Sequence, residues 1–193
     1  MSLSNSKQRI YVSVSEGKFV IKNPKTNERE LYDNLTGRIV NIEVKDETYK
    51  GETYKKAFFD IVDNVDTYTL QLRVGSGYFR TFCNSLKSGD INKIISLSAL
   101  VNEKNGRPNG VIFVKQDGKV LKHFHTKDNM GDLPEVEKII FKGKEDYDNT
   151  KAMEYWIKWL LSLKFESYNE DAIKKDIVSK DFEDLMTDDD LPF

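Results

Sequence analysis

Cysteine is nearly absent: Cys83 is the single one in 193 residues. One thiol forms no internal disulfide and no cysteine-based zinc site, and its isolation fits a reducing interior. Histidine is almost as scarce. His123 and His125 sit two apart at the end of a strand pattern, and two ring nitrogens are too few for a metal site. They read as surface histidines near the path of a polyanion. No apolar run approaches the length of a membrane span, and the Ser- and Asn-rich residues 1–9 lack the apolar stretch of a signal peptide. Gly75-Ser76-Gly77 lies in no GxxxxGK[ST] or GxGxxG, so no phosphate-cradling loop is expected there. With catalysis so poorly supplied, we expect no enzyme, no cofactor and no metal.

What is present is charge, at 32% of residues against 38% hydrophobic. That is polar for a compact domain, and suits one core with some length left unpacked. The net charge of −2 hides an asymmetry. Residues 166–193 hold ten acidic and three basic side chains, a segment of −7, while residues 1–165 carry 27 basic and 22 acidic, or +5. A mildly basic body with a strongly acidic tail suits a polyanion binder with a separate protein-docking end.

Periodicity organises the body. Residues 10–22 alternate around Glu16-Gly17 and predict a hairpin, followed by a polar loop over 23–34. Residues 38–45 alternate with Val40, Ile42 and Val44 on one face; residues 57–62 with Ala57, Phe59 and Ile61; residues 67–74 with Tyr68, Leu70, Leu72 and Val74. Between the first two of these, residues 46–56 read as a polar connection. The period then changes. Phe79, Phe82, Cys83 and Leu86 fall on one helical face after an N-capping Ser76, which predicts a helix over 77–87 and places Cys83 in the core. Strand pattern returns over 93–101, 110–115 and 119–124. A further strand is expected at 136–142, and a helix over 149–165 is expected to pack on the body.

Strand, strand, strand, helix, strand, strand is the order of a mainly β, five-stranded OB-fold Greek-key barrel. The expected organisation is thus an N-terminal hairpin and loop (1–34), a barrel core (35–125), a strand and helix packed on it (126–165), and a disordered acidic tail (166–193).

Such barrels hold single strands with a cationic groove for phosphates and flat side chains for bases. The first connection and its edges interleave Lys45, Tyr49, Lys50, Tyr54, Lys55 and Lys56. The outward faces of the second and third strands carry Phe58, Thr69, Gln71 and Arg73, and the fourth-to-fifth connection carries Lys104 and Arg107. Phe58 beside Arg73 is the sharpest candidate for a stacking platform.

The last six residues are Asp188, Asp189, Asp190, Leu191, Pro192 and Phe193. Three carboxylates precede an apolar plug that Pro192 holds partly extended, a shape for a greasy pocket rimmed by Lys or Arg. At average composition this terminal string arises by chance in roughly one chain in ten million. It resembles the acidic tip of bacterial and phage single-stranded-DNA-binding proteins, which reads Asp-Asp-Asp-(Ile/Leu)-Pro-Phe. The resemblance covers this tip and the barrel pattern over about residues 37–115. Residues 119–165 depart from the family, whose linker there is rich in Gly, Pro and Gln, so a divergent phage or mobile-element type is implied. The family's role implies a protein that binds single-stranded DNA in a bacterial or phage-infected cytoplasm. Its tip would recruit replication, recombination or repair proteins, and homo-oligomerisation stays open. Two alternatives also stand: an adaptor that mimics the tip without binding DNA, and an accessory domain of a nucleic-acid enzyme.

Overall fold

The computed structural model describes residues 9–63, 66–104, 107–141 and 144–166; the acidic tip lies outside them. The described chain is mainly β. In chain order it runs β1 (Ile10–Ser15), β2 (Lys18–Lys22), β3 (Arg29–Tyr32), β4 (Asn34–Tyr49), β5 (Glu52–Val62), β6 (Thr67–Arg73), α1 (Gly77–Leu86), β7 (Ile95–Lys104), β8 (Arg107–Gln116), β9 (Lys119–Val120), β10 (Glu137–Phe141), β11 (Lys144–Asp148) and α2 (Thr150–Ser162). Nine strands form one sheet in the order β3-β2-β1-β6-β5-β4-β7-β8-β9, and β10 and β11 pair separately.

The long strand β4 belongs to both halves of this sheet. Residues 34–37 pair with β7, and residues 38–49 pair with β5. Two local features bend it. At Gly37 a side chain would meet the Val62 carbonyl oxygen at 2.5 Å, so only glycine lets β4 cross the end of β5 so closely. A register shift between Ile39 and Asn41 inserts Val40 as a bulge. One extra residue reverses which side chains face inward. Leu35 and Ile39 are buried before the bulge and Ile42 after it. The expected inward trio Val40, Ile42 and Val44 is corrected accordingly: Ile39 takes the place of Val40.

The sheet is not closed by hydrogen bonds into the expected barrel, because both edges that would meet are occupied. The outer edge of β6 takes β1 in parallel, with Thr69 opposite Tyr11 and Leu70 opposite Val12. On β8 the Ile112 amide donates to Thr81 Oγ1 of α1 at 2.9 Å, and the Val114 carbonyl accepts from Leu121 at 2.8 Å. The gap is bridged by side chains. Tyr78 Oη accepts from the Gly17 amide at 3.0 Å, and the Tyr78 ring lies against Gly110, where a Cβ would come within 2.5 Å.

Inside, Phe59, Ile61, Leu70, Leu97 and Ile112 are fully buried and meet Phe79, Phe82 and Cys83 of α1. Phe59 and Phe82 stack edge to face at 4.9 Å. Ser76 caps α1 as its spacing predicts, accepting from the Phe79 amide at 3.1 Å. Burial pushes the Cys83 thiol well above its usual pKa, consistent with a core side chain. The N-terminal hairpin joins the same core through Val12 and Phe19, and α2 docks on it with Ala152, Met153, Trp156 and Leu160.

Several expectations are corrected. Residues 46–56 are not a loop: β4 and β5 continue to a tight turn at Lys50-Gly51, both with positive φ. The polar stretch 23–34 contains β3, and the strand expected over 119–124 shrinks to Lys119–Val120. His125 is not on the surface. Its side chain is 1% exposed, its amide and carbonyl are held by Asn84, and its Nε2 lies 3.1 Å from Tyr155 Oη. Burial, with the Lys87 charge beside it, holds its pKa below the usual imidazole value. Lys87 donates to Tyr155 Oη and sits 4.8 Å from the Phe124 ring centroid, tying the end of α1 to α2.

Gly37→Ala tests the crossing. The new methyl would meet backbone rather than a yielding side chain, so we expect a loss of about 1–3 kcal/mol, read as a lower urea midpoint with unchanged slope.

Candidate nucleic-acid interface

The face of β4–β5–β6 turned away from the core collects most of the expected residues. Cross-strand register builds it row by row. Glu47 lies opposite Tyr54; Lys45 opposite Lys56, and Lys56 opposite Arg73; Glu43 opposite Phe58, and Phe58 opposite Gln71; Asn41 opposite Asp60, and Asp60 opposite Thr69. The alternating inward residues Ala57, Phe59, Leu70 and Leu72 are buried in the core, so these side chains point out by strand parity.

Two aromatic rings sit among three cations. Arg73 lies 4.9 Å from the Tyr54 ring centroid and Lys56 5.9 Å from it. Lys45 and Lys56 lie 5.7 and 5.8 Å from the Phe58 centroid. Cations at these distances are drawn to the ring faces, which fixes long side chains that would otherwise sweep the surface. Lys56 also donates to Gln71 Oε1 at 3.2 Å. Phe58 and Tyr54 are half-buried, which leaves ring surface open to a flat partner.

Carboxylates temper the charge. Glu43 pairs with Lys45 and Glu47 with Lys56, while Tyr54 Oη donates to Glu47 at 3.3 Å. Asp60 is buried at 5% exposure. It accepts from Thr69 Oγ1 at 2.7 Å and Asn41 Nδ2 at 3.0 Å, and Arg9 lies 3.5 Å away. Asp60 is thus satisfied and neutralised within the sheet, leaving little charge to repel a phosphate.

The remaining expected residues fall elsewhere. Tyr49 and Lys50 stand at the hairpin tip, Tyr49 exposed with Lys50 5.4 Å from its ring centroid. Lys55 is opposite Asp46 and pairs with it at 2.9 Å; its parity puts it on the other face of the hairpin, so it is not part of the platform. Lys104 and Arg107 are register partners at the end of the β7–β8 ladder, which is separated from β5 and β6 by β4. The sequence reading missed Glu43, Glu47 and the Asp60 cluster. Their signal was available once residues 46–56 are taken as strand, because the alternation then continues through Glu47 and Tyr49.

Among the described residues no group of three or more His, Cys, Asp or Glu is placed to hold a metal ion. No family model, no curated protein and no solved structure matches this chain.

Three substitutions separate ring from charge. Phe58→Ala should weaken binding to oligo-dT by about 1–3 kcal/mol, the usual worth of one stacked base, and Tyr54→Ala similarly, with the fold retained. A steep fall in melting temperature with affinity spared would make Phe58 a core residue. Glu47→Gln should act oppositely. It frees Lys56 from its carboxylate, so affinity should rise modestly at low salt and the gain should shrink as salt screens it.

Proposed function

We propose that this chain binds single-stranded nucleic acid across the outer face of β4–β6 and recruits other proteins through Asp188–Phe193. The observation that carries the reading is the placement of Lys45, Lys56 and Arg73 around Tyr54 and Phe58 on one outward sheet face. Charge for phosphates and rings for bases is the chemistry that holds single strands without a base-edge code. Cations and ring faces carry no base-edge code, so binding should be broad in sequence.

Two further arguments support it. The run β6-β5-β4-β7-β8, with α1 between its third and fourth members in sequence, has the order of a five-stranded OB barrel opened between the third and fifth strands. In such barrels the second and third strands carry the ligand, and here those are β5 and β6. The tip adds the resemblance to single-stranded-DNA-binding proteins. By that likeness Phe193 is the plug for a partner's pocket and the three aspartates address basic residues at its rim. The partners would be replication, recombination or repair proteins of a bacterial or phage-infected cell. Among the described residues no helix is long and apolar enough to cross a membrane.

The acidic segment also sets a competition. Residues 166–193 carry −7 and residues 1–165 carry +5, so the segment and nucleic-acid phosphates seek the same cations, most strongly at low salt. Binding of nucleic acid would then release the tip to a partner.

A fluorescence titration with oligo-dT over a range of salt tests the reading. Affinity should fall with salt at a log–log slope of about −0.7 per phosphate neutralised, and duplex of the same length should bind more weakly. Equal affinity for duplex, or no salt dependence, overturns the single-strand reading, and no binding to either leaves the tip-mimicking adaptor. Deleting residues 188–193 should leave affinity for oligo-dT unchanged or raised. Phe193→Ala should lose partner capture while keeping the tail charge.

A further inference from the structure

The same sheet face does not stop at β6. The parallel pairing of β1 sets Tyr11 beside Thr69 and Val12 beside Leu70. Val12 and Leu70 are 1% and 0% exposed in the core, so Tyr11 and Thr69 point the other way. Tyr11 is 54% exposed. On the next strand Val12 is opposite Ile21, which brings Lys22 level with Tyr11, and Lys22 is opposite Arg29 on β3. Lys22 and Arg29 are both exposed. One row therefore runs Asn41, Asp60, Thr69, Tyr11, Lys22, Arg29 across six strands.

We propose that the single-strand platform continues from Phe58 onto the N-terminal hairpin, with Tyr11 as the next stacking residue and Lys22 and Arg29 as phosphate contacts. This rests on the nucleic-acid reading of the β4–β6 face and extends it to residues that the sequence, read as an appended hairpin and loop, did not single out. Tyr11 lies two strands over and one side-chain pair along from Phe58, a diagonal of about 12 Å at ordinary strand spacings. The ground between is passable. Asp60 and Thr69 fill it, but the carboxylate is buried, bonded to Thr69 and Asn41, and faced by Arg9. Arg9 thus belongs to the path as the group that cancels its central negative charge.

A cleft of about 1390 Å³ beside this row is lined by Glu30, Asp63 and Asp66 and equally by Arg9, Lys22 and Lys25, so charge of both signs borders it. Tyr32 donates to Glu30 there, and burial with Asp63 and Asp66 pushes the Tyr68 phenol up from its usual pKa.

The test is a titration of the full chain with oligo-dT, comparing Tyr11→Ala, Tyr11→Phe, Phe58→Ala and the double variant Lys22→Ala/Arg29→Ala. Stacking at Tyr11 predicts a loss of about 5- to 100-fold for Tyr11→Ala, with Tyr11→Phe within about twofold of the parent. Loss of two phosphate contacts predicts a salt slope shallower by about 1.4 for the double variant. If Phe58→Ala weakens binding while Tyr11→Ala and the double variant leave affinity and slope unchanged, the extension is wrong and the β4–β6 reading stands. If Phe58→Ala is also silent, the reading itself falls. Should Tyr11→Ala lower the melting temperature sharply, the exposed Lys22 and Arg29 decide: an unchanged slope overturns the extension.

Discussion

Everything on the outward face depends on how β4 is bent. The strand serves two partners, β7 through residues 34–37 and β5 through residues 38–49. Gly37 permits the close crossing, and the Val40 bulge then switches the inward set from Leu35 and Ile39 to Ile42. A strand of strict period two could not do both. Without the bulge, Glu43, Lys45 and Glu47 would point at Phe59 and Leu70, and Ile42 would face solvent. The price of burying three charges is far above anything the core could offset, so bulge and platform are specified together. The polar residues that look like a loop in the sequence are the ones that hold the outward register.

The open sheet follows from edge management. Unpaired strand edges invite pairing with other chains. Here the two edges that would meet in a closed barrel are each given a local partner: β1 on β6, and α1 with the segment after β9 on β8. Tyr78 then ties the β1–β2 turn to the far half through Gly17 and Gly110. Closure is achieved by side chains and helices instead of a ladder. One consequence is functional geometry, since adding β1–β3 to the β6 edge broadens the outward face from three strands to six.

Residues with one dominant local signal were legible in the sequence. The period-two runs of β5 and β6 identified Phe59, Ile61, Leu70 and Leu72 as core, and the cap and spacing of α1 identified Phe79, Phe82 and Cys83. What failed were segments whose fate is set by distant partners. Residues 46–56 carry too little apolar pattern to read as strand, and they form one because each half pairs with the other around Lys50-Gly51. β3 and β11 are short, and their pairing partners define them. His125 looked exposed by type; Asn84 and Lys87 at the end of α1 and Tyr155 of α2 enclose it, which no local window reveals. At the candidate site the cations and rings were visible as residue types, but the balance of Lys56 with Glu47 was not, because ion pairing across strands needs register.

That balance bears on how such a platform could work. In water, two unit charges at about 4 Å attract by about 1 kcal/mol, and exposed pairs of long side chains are worth 0 to about 1 kcal/mol net. The exposed Lys45–Glu43 pair therefore holds its lysine in place without holding it tightly, while the half-buried Lys56–Glu47 pair holds its lysine more firmly. The ring faces of Phe58 and Tyr54 add a second weak restraint on the same ammonium groups. Preorganisation of this kind lowers the ordering cost when a phosphate arrives, while the incoming polyanion also gains by releasing its own condensed counterions. The carboxylates are displaced rather than buried, since they stand on an exposed face and regain water. A cationic patch of the same residues without Glu43 and Glu47 would hold any polyanion more strongly, the acidic segment 166–193 included, so the resident carboxylates would weaken that competition without abolishing it. If the proposed function holds, the paired arrangement would favour a chain of phosphates with stacking bases over carboxylates alone.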